Sequence, residues 1–334
     1  MSELFFKTPS EEKSSAEKDK LYDLIILGGG PAGLTAAIYA TRAKLDTLLI
    51  EKALPGGYVS STDWVENYPG FTDGISGMEL SKKMEEHAKK FGAKIVLEEI
   101  ICIDLKSEPK IVQTNQGKYQ AQTIILATGN EPKKLNVPGE DKFRGKGVSY
   151  CATCDGPFFK DKDIVIVGCG NSGIQEGLYL LRFVKSITYV EFLPYMIAEK
   201  ILQERALKKP RMKFYLEHEL LSIDGKDKSE FGSIGVESVT AQNRKTKEKV
   251  VIPAQGVFFY VGLVPQTQFL KGKISLDKDG YIIANNNTQT SIPGVFAAGD
   301  VRQKNLRQIV TATADGAIAA VMAQKYLEDK KEGM

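Results

Sequence analysis

The sequence predicts an α/β protein built on two copies of one unit, a strand, a glycine turn, a helix and a second strand. Three observations predict it. An apolar run meets a glycine-rich turn at 28–33, the same arrangement returns at 168–173, and two further apolar runs, at 123–129 and 294–300, end in small-residue turns.

The first copy opens with Leu24-Ile25-Ile26-Leu27, turns through Gly28-Gly29-Gly30-Pro31-Ala32-Gly33, continues as an Ala-rich helical stretch to Ala43, and closes with Thr47-Leu48-Leu49-Ile50 and Glu51. The second runs Ile164 to Val167, Gly168-Cys169-Gly170-Asn171-Ser172-Gly173, a helical stretch to Phe183, then Ile187 to Val190 and Glu191. In each copy the acid follows the first glycine by 23 positions. That is close to the spacing of about 20 expected for dinucleotide binding. The first glycine permits the turn, the second lets the backbone approach a pyrophosphate, and the third lets helix and strand pack closely. The helix N-terminus then faces the phosphates, and the carboxylate accepts from ribose hydroxyls. A single such turn also occurs for packing alone; two complete copies weaken that reading.

Thr123-Ile124-Ile125-Leu126-Ala127-Thr128-Gly129 and Gly294-Val295-Phe296-Ala297-Ala298-Gly299-Asp300 are apolar strands ending in small-residue turns. Either is readable as a plain buried strand. Both also resemble the accessory motifs of flavoproteins with two dinucleotide sites, a resemblance that places Ala127, Thr128, Gly129, Gly299 and Asp300 at a flavin. Cys151-Ala152-Thr153-Cys154-Asp155 sets two thiols three positions apart, a spacing at which a disulfide closes and a helix N-terminus favours thiolate. The competing reading, half of a zinc site, needs a second pair of ligands, and Cys102, Cys169, His87 and His218 stand singly. Cys102 and Cys169 are expected in the core, and Trp64 as a packing aromatic.

Composition narrows the class. With 42% hydrophobic and 26% charged residues the chain is an ordinary globular protein, and its net charge of +3 without a basic block gives no nucleic-acid footprint. Four cysteines suit a reducing compartment better than a disulfide framework. No apolar run approaches a membrane span of about 18 residues and no signal segment opens the chain, so a cytoplasmic protein without membrane contact is expected. Residues 1–20, rich in Ser, Glu and Lys, are expected to form a flexible tail.

The segment Gly147-Val148-Ser149-Tyr150-Cys151-Ala152-Thr153-Cys154-Asp155-Gly156-Pro157-Phe158-Phe159 resembles the active-site stretch of low-molecular-weight thioredoxin reductases. Val65-Glu66-Asn67-Tyr68-Pro69-Gly70, Tyr260 to Pro265, and Gly299 to Ala312 resemble the same family in order and spacing, from about Tyr22 to Tyr326. The resemblance implies FAD at Gly28, Gly30, Pro31, Ala32, Gly33, Glu51, Gly57, Asn67, Arg307 and Gln308, besides the accessory motifs. A nicotinamide nucleotide is implied at Gly168, Gly170, Asn171, Ser172, Gly173 and Glu191. Cys154 is implied to face the flavin, Cys151 to attack the partner disulfide, and Asp155 to act as general acid, with a helix N-cap as the bland alternative for Asp155. A thioredoxin-like partner and a homodimer are implied as well.

The chain departs from the family in two places. Where NADPH-dependent members carry arginines after the second strand, it reads Glu191-Phe192-Leu193-Pro194-Tyr195-Met196-Ile197. A carboxylate there repels a 2′-phosphate and accepts from an unphosphorylated ribose, so NADH is favoured over NADPH. Loss of the arginines also fits the relatives that take electrons from ferredoxin, although the intact glycines and Glu191 still encode a nucleotide surface. Tyr58 replaces the usual Gln near the flavin ring, where it stacks, blocks or merely packs.

The resulting expectation is an α/β fold of two Rossmann-like dinucleotide-binding domains (three-layer ββα), the second inserted into the first. The FAD-binding domain comprises 21–132 plus 262–334, and the NAD(P)-binding and redox domain 133–261. Hinges are expected near Glu131-Pro132 and Leu263-Pro265. The activity expected is thioredoxin reduction, with a flavin-binding redox sensor as the rival of another class.

Overall fold

The computed structural model describes residues 20–226 and 235–333; the expected tail, apart from Lys20, lies outside them. The chain runs β1 (Leu21–Leu27), α1 (Pro31–Arg42), β2 (Thr47–Glu51), α2 (Gly77–Lys90), β3 (Lys94–Leu97), β4 (Ile100–Asp104), β5 (Lys110–Thr114) and β6 (Lys118–Leu126). Then come β7 (Asn130–Pro132), β8 (Val148–Ser149), α3 (Ala152–Asp155), β9 (Asp163–Val167), α4 (Asn171–Leu180), β10 (Ser186–Val190), α5 (Lys200–Leu207) and β11 (Met212–Tyr215). The last elements are β12 (His218–Gly225), β13 (Val236–Asn243), β14 (Lys249–Pro253), β15 (Gly256–Phe259), β16 (Leu263–Pro265), β17 (Val295–Ala297) and α6 (Ile309–Glu332).

These elements form two compact units. Of the described residues, the first takes in 20–57, 82–129 and 267–333; the second takes in 58–81, 130–226 and 235–266. The sequence reading had set residues 58–81 among the motifs of the first unit.

In the first unit the sheet order is β3-β2-β1-β6-β5-β4, and β17 pairs with β6. β1, β2, β3, β6 and β17 are parallel, and β5 and β4 return antiparallel. Alternate residues of a strand face opposite ways, and β1 shows it. Leu24 and Ile26 pack with the alanines of α1 and α6, whereas Ile25 and Leu27 pack with β4, β5 and Leu270 to Ile282. Ala32, Ala36, Ala37 and Ala40 of α1 meet Ala312, Ala319, Ala320 and Ala323 of α6 in that core. Small side chains let the helices approach until Gly316 sits against the Ala32 carbonyl, with no room for a Cβ.

The second unit repeats this logic around the parallel sheet β11-β10-β9-β15-β8. Ile164 and Ile166 of β9 face the helical side, and Val165 and Val167 face the antiparallel layer β12-β13-β14. Helices, parallel sheet and antiparallel sheet are thus stacked in three layers. The two crossings at either end of the insert pair with each other: Leu263 opposite Pro132, Val264 opposite Glu131, Pro265 opposite Asn130.

Cys102 corrects an expectation. It is exposed, because β4 is the last strand of its sheet and a register shift between Ile100 and Cys102 breaks the in-out alternation. A bulge of this kind re-aims the side chains that follow it. Cys169 is buried as expected. No helix among the described residues is long and apolar enough to cross a membrane.

Candidate active site

The two glycine turns are built alike, down to single hydrogen bonds. Gly28 and Gly168 take φ of 106° and 105°, in the left-handed region where a side chain is strained. Gly33 and Gly173 lie against the carbonyls of Gly28 and Gly168, which brings each helix onto its strand. Helices α1 and α4 begin at Gly30 and Gly170 with no side-chain cap, so their first backbone N–H groups stay available to an anion. Glu51 accepts from the Gly29 amide at 2.6 Å and from the Ala53 amide at 3.0 Å. Glu191 accepts from the Cys169 amide at 2.6 Å and from the Leu193 amide at 2.9 Å.

The first unit fits the flavin nucleotide that the resemblance implies. A Cβ on Gly30 would meet only the Gly57 Cα, at 4.0 Å, so the second glycine of the turn faces a space a pyrophosphate could enter. Pro31 starts α1 at its first position, where its missing N–H is not needed. Ala127 lies against Gly28, followed by Thr128 and by Gly129, whose Cβ direction is open. Gly299 packs on Ala32, which brings Asp300 to the start of α1. Burial pushes the Asp300 carboxyl up, against the pull of Lys304 and Arg307. Gln308 caps α6 in a reciprocal box with Thr311. Arg307 lies 3.9 Å over the Tyr281 ring, and its Nε is buried with no hydrogen-bond partner among the described residues. Asn67 is the exception among these residues, since it belongs to the second unit.

The second unit fits a nicotinamide nucleotide on the same grounds. Asn171 at the start of α4 exchanges hydrogen bonds with Glu199, its Oδ1 accepting at 2.7 Å and its Nδ2 donating at 3.1 Å. Ser172 is exposed beside it, and Glu191 is 6% exposed. Arg244 stacks 3.4 Å from the Phe192 ring centroid and donates to the Phe192 carbonyl. It is a cation beside Phe192 that the sequence reading did not single out, because it arrives from the β13–β14 hairpin.

Cys151 and Cys154 form a disulfide with Cα atoms 5.4 Å apart. Cys151 is the N-cap of α3, and its Sγ accepts from the Cys154 amide at 3.2 Å. Cys154 is exposed and Cys151 half-buried. Asp155 does not cap the turn that follows it; its Oδ2 accepts the Ser149 hydroxyl at 2.6 Å. Ser149 Oγ also accepts from the Cys151 amide at 3.0 Å, so one hydroxyl ties the acid to the cysteine turn. Between the cysteines, Thr153 donates to the Ser61 carbonyl at 2.6 Å and lies 3.4 Å from Cys151 Sγ. The sequence reading used neither Ser149 nor Thr153 in its own right. The only signal was their place inside the matched segment 147–159. Among the described residues no cluster of His, Cys, Asp and Glu could hold a metal ion.

Comparison with known proteins agrees with this arrangement. Residues 22–316 match the family described as pyridine nucleotide-disulphide oxidoreductases. The chain is 46% identical to a thioredoxin reductase of Listeria innocua over 319 residues, 96% of this chain and 98% of that one. It is 45% identical to a thioredoxin reductase of Bacillus subtilis over 315 residues, 94% and 98% of the two chains. Among solved structures, Lactococcus lactis thioredoxin reductase is similar with a TM-score of 0.88 and 40% identity, covering 92% of this chain and 99% of that one.

Proposed function

This chain belongs to the pyridine nucleotide-disulphide oxidoreductase family, in its low-molecular-weight thioredoxin reductase class, and from that premise we propose that it reduces a thioredoxin-like protein with electrons from NADH. The observation that carries the reading is the Cys151–Cys154 disulfide, held in the unit that also contains the second glycine turn and its acid. A bound FAD, for which Gly28 to Gly33, Glu51 and the turns at 127–129 and 299–300 fit, supplies two-electron transfer between a nicotinamide and a disulfide.

The protein's own residues account for the rest. Opening the disulfide takes two electrons and two protons. The Cys151 thiolate then attacks one sulfur of the partner disulfide, forming a mixed disulfide and releasing one partner thiolate. Cys154 attacks Cys151 Sγ, which re-forms the Cys151–Cys154 bond and frees the second partner thiolate. Asp155, held by the Ser149 hydroxyl, is assigned the role of handing a proton to a leaving sulfur. The carboxylate is reset by the proton that the Cys154 thiol gives up as it attacks.

Two features support NADH over NADPH. Glu191 stands at the end of β10 with both carboxylate oxygens held by backbone amides, and a fixed negative charge there repels a 2′-phosphate. Arg244 is engaged with the ring and carbonyl of Phe192, and one arginine in that role is not a phosphate clamp. The absent arginines equally suit a ferredoxin-driven reductase, which is the second reading. Anaerobic mixing with NADH, NADPH or reduced ferredoxin separates them by flavin bleaching. NADH is expected to bleach at the lowest concentration; a response to ferredoxin alone would replace the donor assignment. A cytoplasmic homodimer is part of the proposal, and sedimentation equilibrium checks the dimer.

A further inference from the structure

The stretch Tyr58–Asn67 lies across the second unit as a strap. Its attachments run along one side of that unit. Ser61 accepts from Thr153 at 2.6 Å, the Trp64 carbonyl accepts from Gln175 of α4, Asp63 pairs with Arg182 at 3.2 Å, and Glu66 pairs with Arg205 of α5 at 2.9 Å. A bridge between Val65 and Ile75 closes the strap on itself. Arg182 and Arg205 are 62% and 42% exposed, so solvent and salt weaken those two pairs. The decision between a closed and an open strap therefore falls to the end that meets a buried carboxyl of α4.

That end meets Glu176. The side chain is 7% exposed, and its Oε2 is buried with no hydrogen-bond partner among the described residues. The groups that bear on it are Tyr58 and Asp63 from the strap, Tyr179 of α4 and Tyr260 just after β15; Arg182, in the turn after α4, completes the set around Asp63. Tyr189 of β10 bears on Tyr260 in turn, and the Tyr260 hydroxyl lies near the backbone of Ala152 in the cysteine turn. Arg182 pairs with Asp63, leaving Glu176 with no cation of its own in this set. An ionised carboxylate in such a place is costly, and a neutral acid is not.

We propose that Glu176 is a positioning residue for the Cys151–Cys154 pair: uncharged, it lets Tyr58–Asn67 close against α4, and the closed strap holds Thr153 between the two cysteines. Burial, and then the nearby Asp63, push the Glu176 carboxyl up to about 8. The closed form holds a proton that the open form releases. Closure is therefore at full strength below the ordinary carboxylate range, about 4.3, and is lost as pH rises through about 8. Tyr58, pushed to about 12 by burial and then by Glu176, stays neutral throughout, as do Tyr179, Tyr189 and Tyr260, all raised mainly by burial. Burial also raises the Asp63 carboxyl, against the pull of Arg182.

The proposal takes from the proposed function only that this disulfide is the redox centre. Trp64, the one tryptophan of the chain, sits in the strap and reports on it directly. Its emission in the full-length oxidised protein is followed from pH 5.5 to 9.5, and the rate of Cys151–Cys154 reduction by a phosphine is read over the same range by alkylation and mass spectrometry. Wild type is expected to show an emission transition near pH 8, and its reduction rate relative to E176Q should rise roughly tenfold from pH 7 to pH 9. E176Q, neutral at every pH, should keep the closed emission with no transition. Thr153→Ala should keep the transition and lose the extra pH dependence of reduction. Matching emission curves in wild type and E176Q overturn the idea, as does a T153A rate that still follows wild type; should E176Q not fold, the T153A comparison decides. No donor enters these measurements, so a failed bleaching assay with NADH would leave their outcome intact.

Discussion

Replacing Asp315 with alanine tests how α6 holds the turn proposed to face the flavin. Asp315 is 8% exposed and accepts from the Gly299 amide at 3.1 Å, Arg302 at 3.0 Å and Lys304 at 3.1 Å. Arg302 is itself 9% exposed, so the substitution strands a buried guanidinium whose Nη2 still reaches the carbonyls of Ala284 and Asn285. Removing one partner of a buried pair costs about 3–5 kcal/mol, mostly for the charge left behind. For a domain of roughly 150–250 residues, each kcal/mol lowers Tm by about 2–4 °C, which gives a fall of about 6–20 °C. Scanning calorimetry is the assay, and the transition of the first unit should move while that of the second stays. Gly299 also loses its anchor, and a lost bond to a charged acceptor is worth about 1.5–3 kcal/mol. FAD affinity, read by fluorescence titration, should therefore weaken roughly tenfold or more. A loss of stability under about 1 kcal/mol would refute the premise that this carboxylate neutralises a desolvated arginine.

Two further outcomes follow from the cysteines. Cys154→Ser should leave FAD bound and abolish reduction of a disulfide substrate; a redox sensor without turnover would show no such activity to lose, in wild type or variant. In the folded protein an alkylating reagent at pH 8 should modify Cys102, which is exposed with the Lys273 ammonium 3.7 Å away, and spare Cys169, whose thiol burial and then Glu191 push far up. Peptide mass spectrometry reads both sites at once, and equal labelling would contradict the burial of Cys169.

Much of the architecture was legible because it is written locally. A turn that needs a left-handed glycine, a helix that must touch its strand and an acid at the end of the next strand leave a fixed spacing, and the two copies show it at Gly28 to Glu51 and Gly168 to Glu191. The cysteine pair was legible for the same reason. What escaped depends on partners distant in sequence. Glu176 reads as an ordinary polar position on a helix until Tyr58 and Asp63 arrive from more than a hundred residues away. Ser149 gains its meaning from the Asp155 oxygen it meets, and Arg244 from a hairpin that returns to Phe192. Cys102 was misread because a bulge at a sheet edge overrode an apolar run, which no count of alternating residues reveals.

The antiparallel ribbon of β7 and β16 has a consequence for ancestry and engineering. Its paired residues bring Asn130 and Pro265 to neighbouring positions on adjacent strands, one ladder spacing of about 4.8 Å apart. A host chain that receives a cassette between such closely held ends bears the closure entropy of a short hairpin, however long the cassette is. Exchange of whole inserts between related proteins, or a new pair of chain ends opened inside the insert, is thereby made tolerable to the host at this junction.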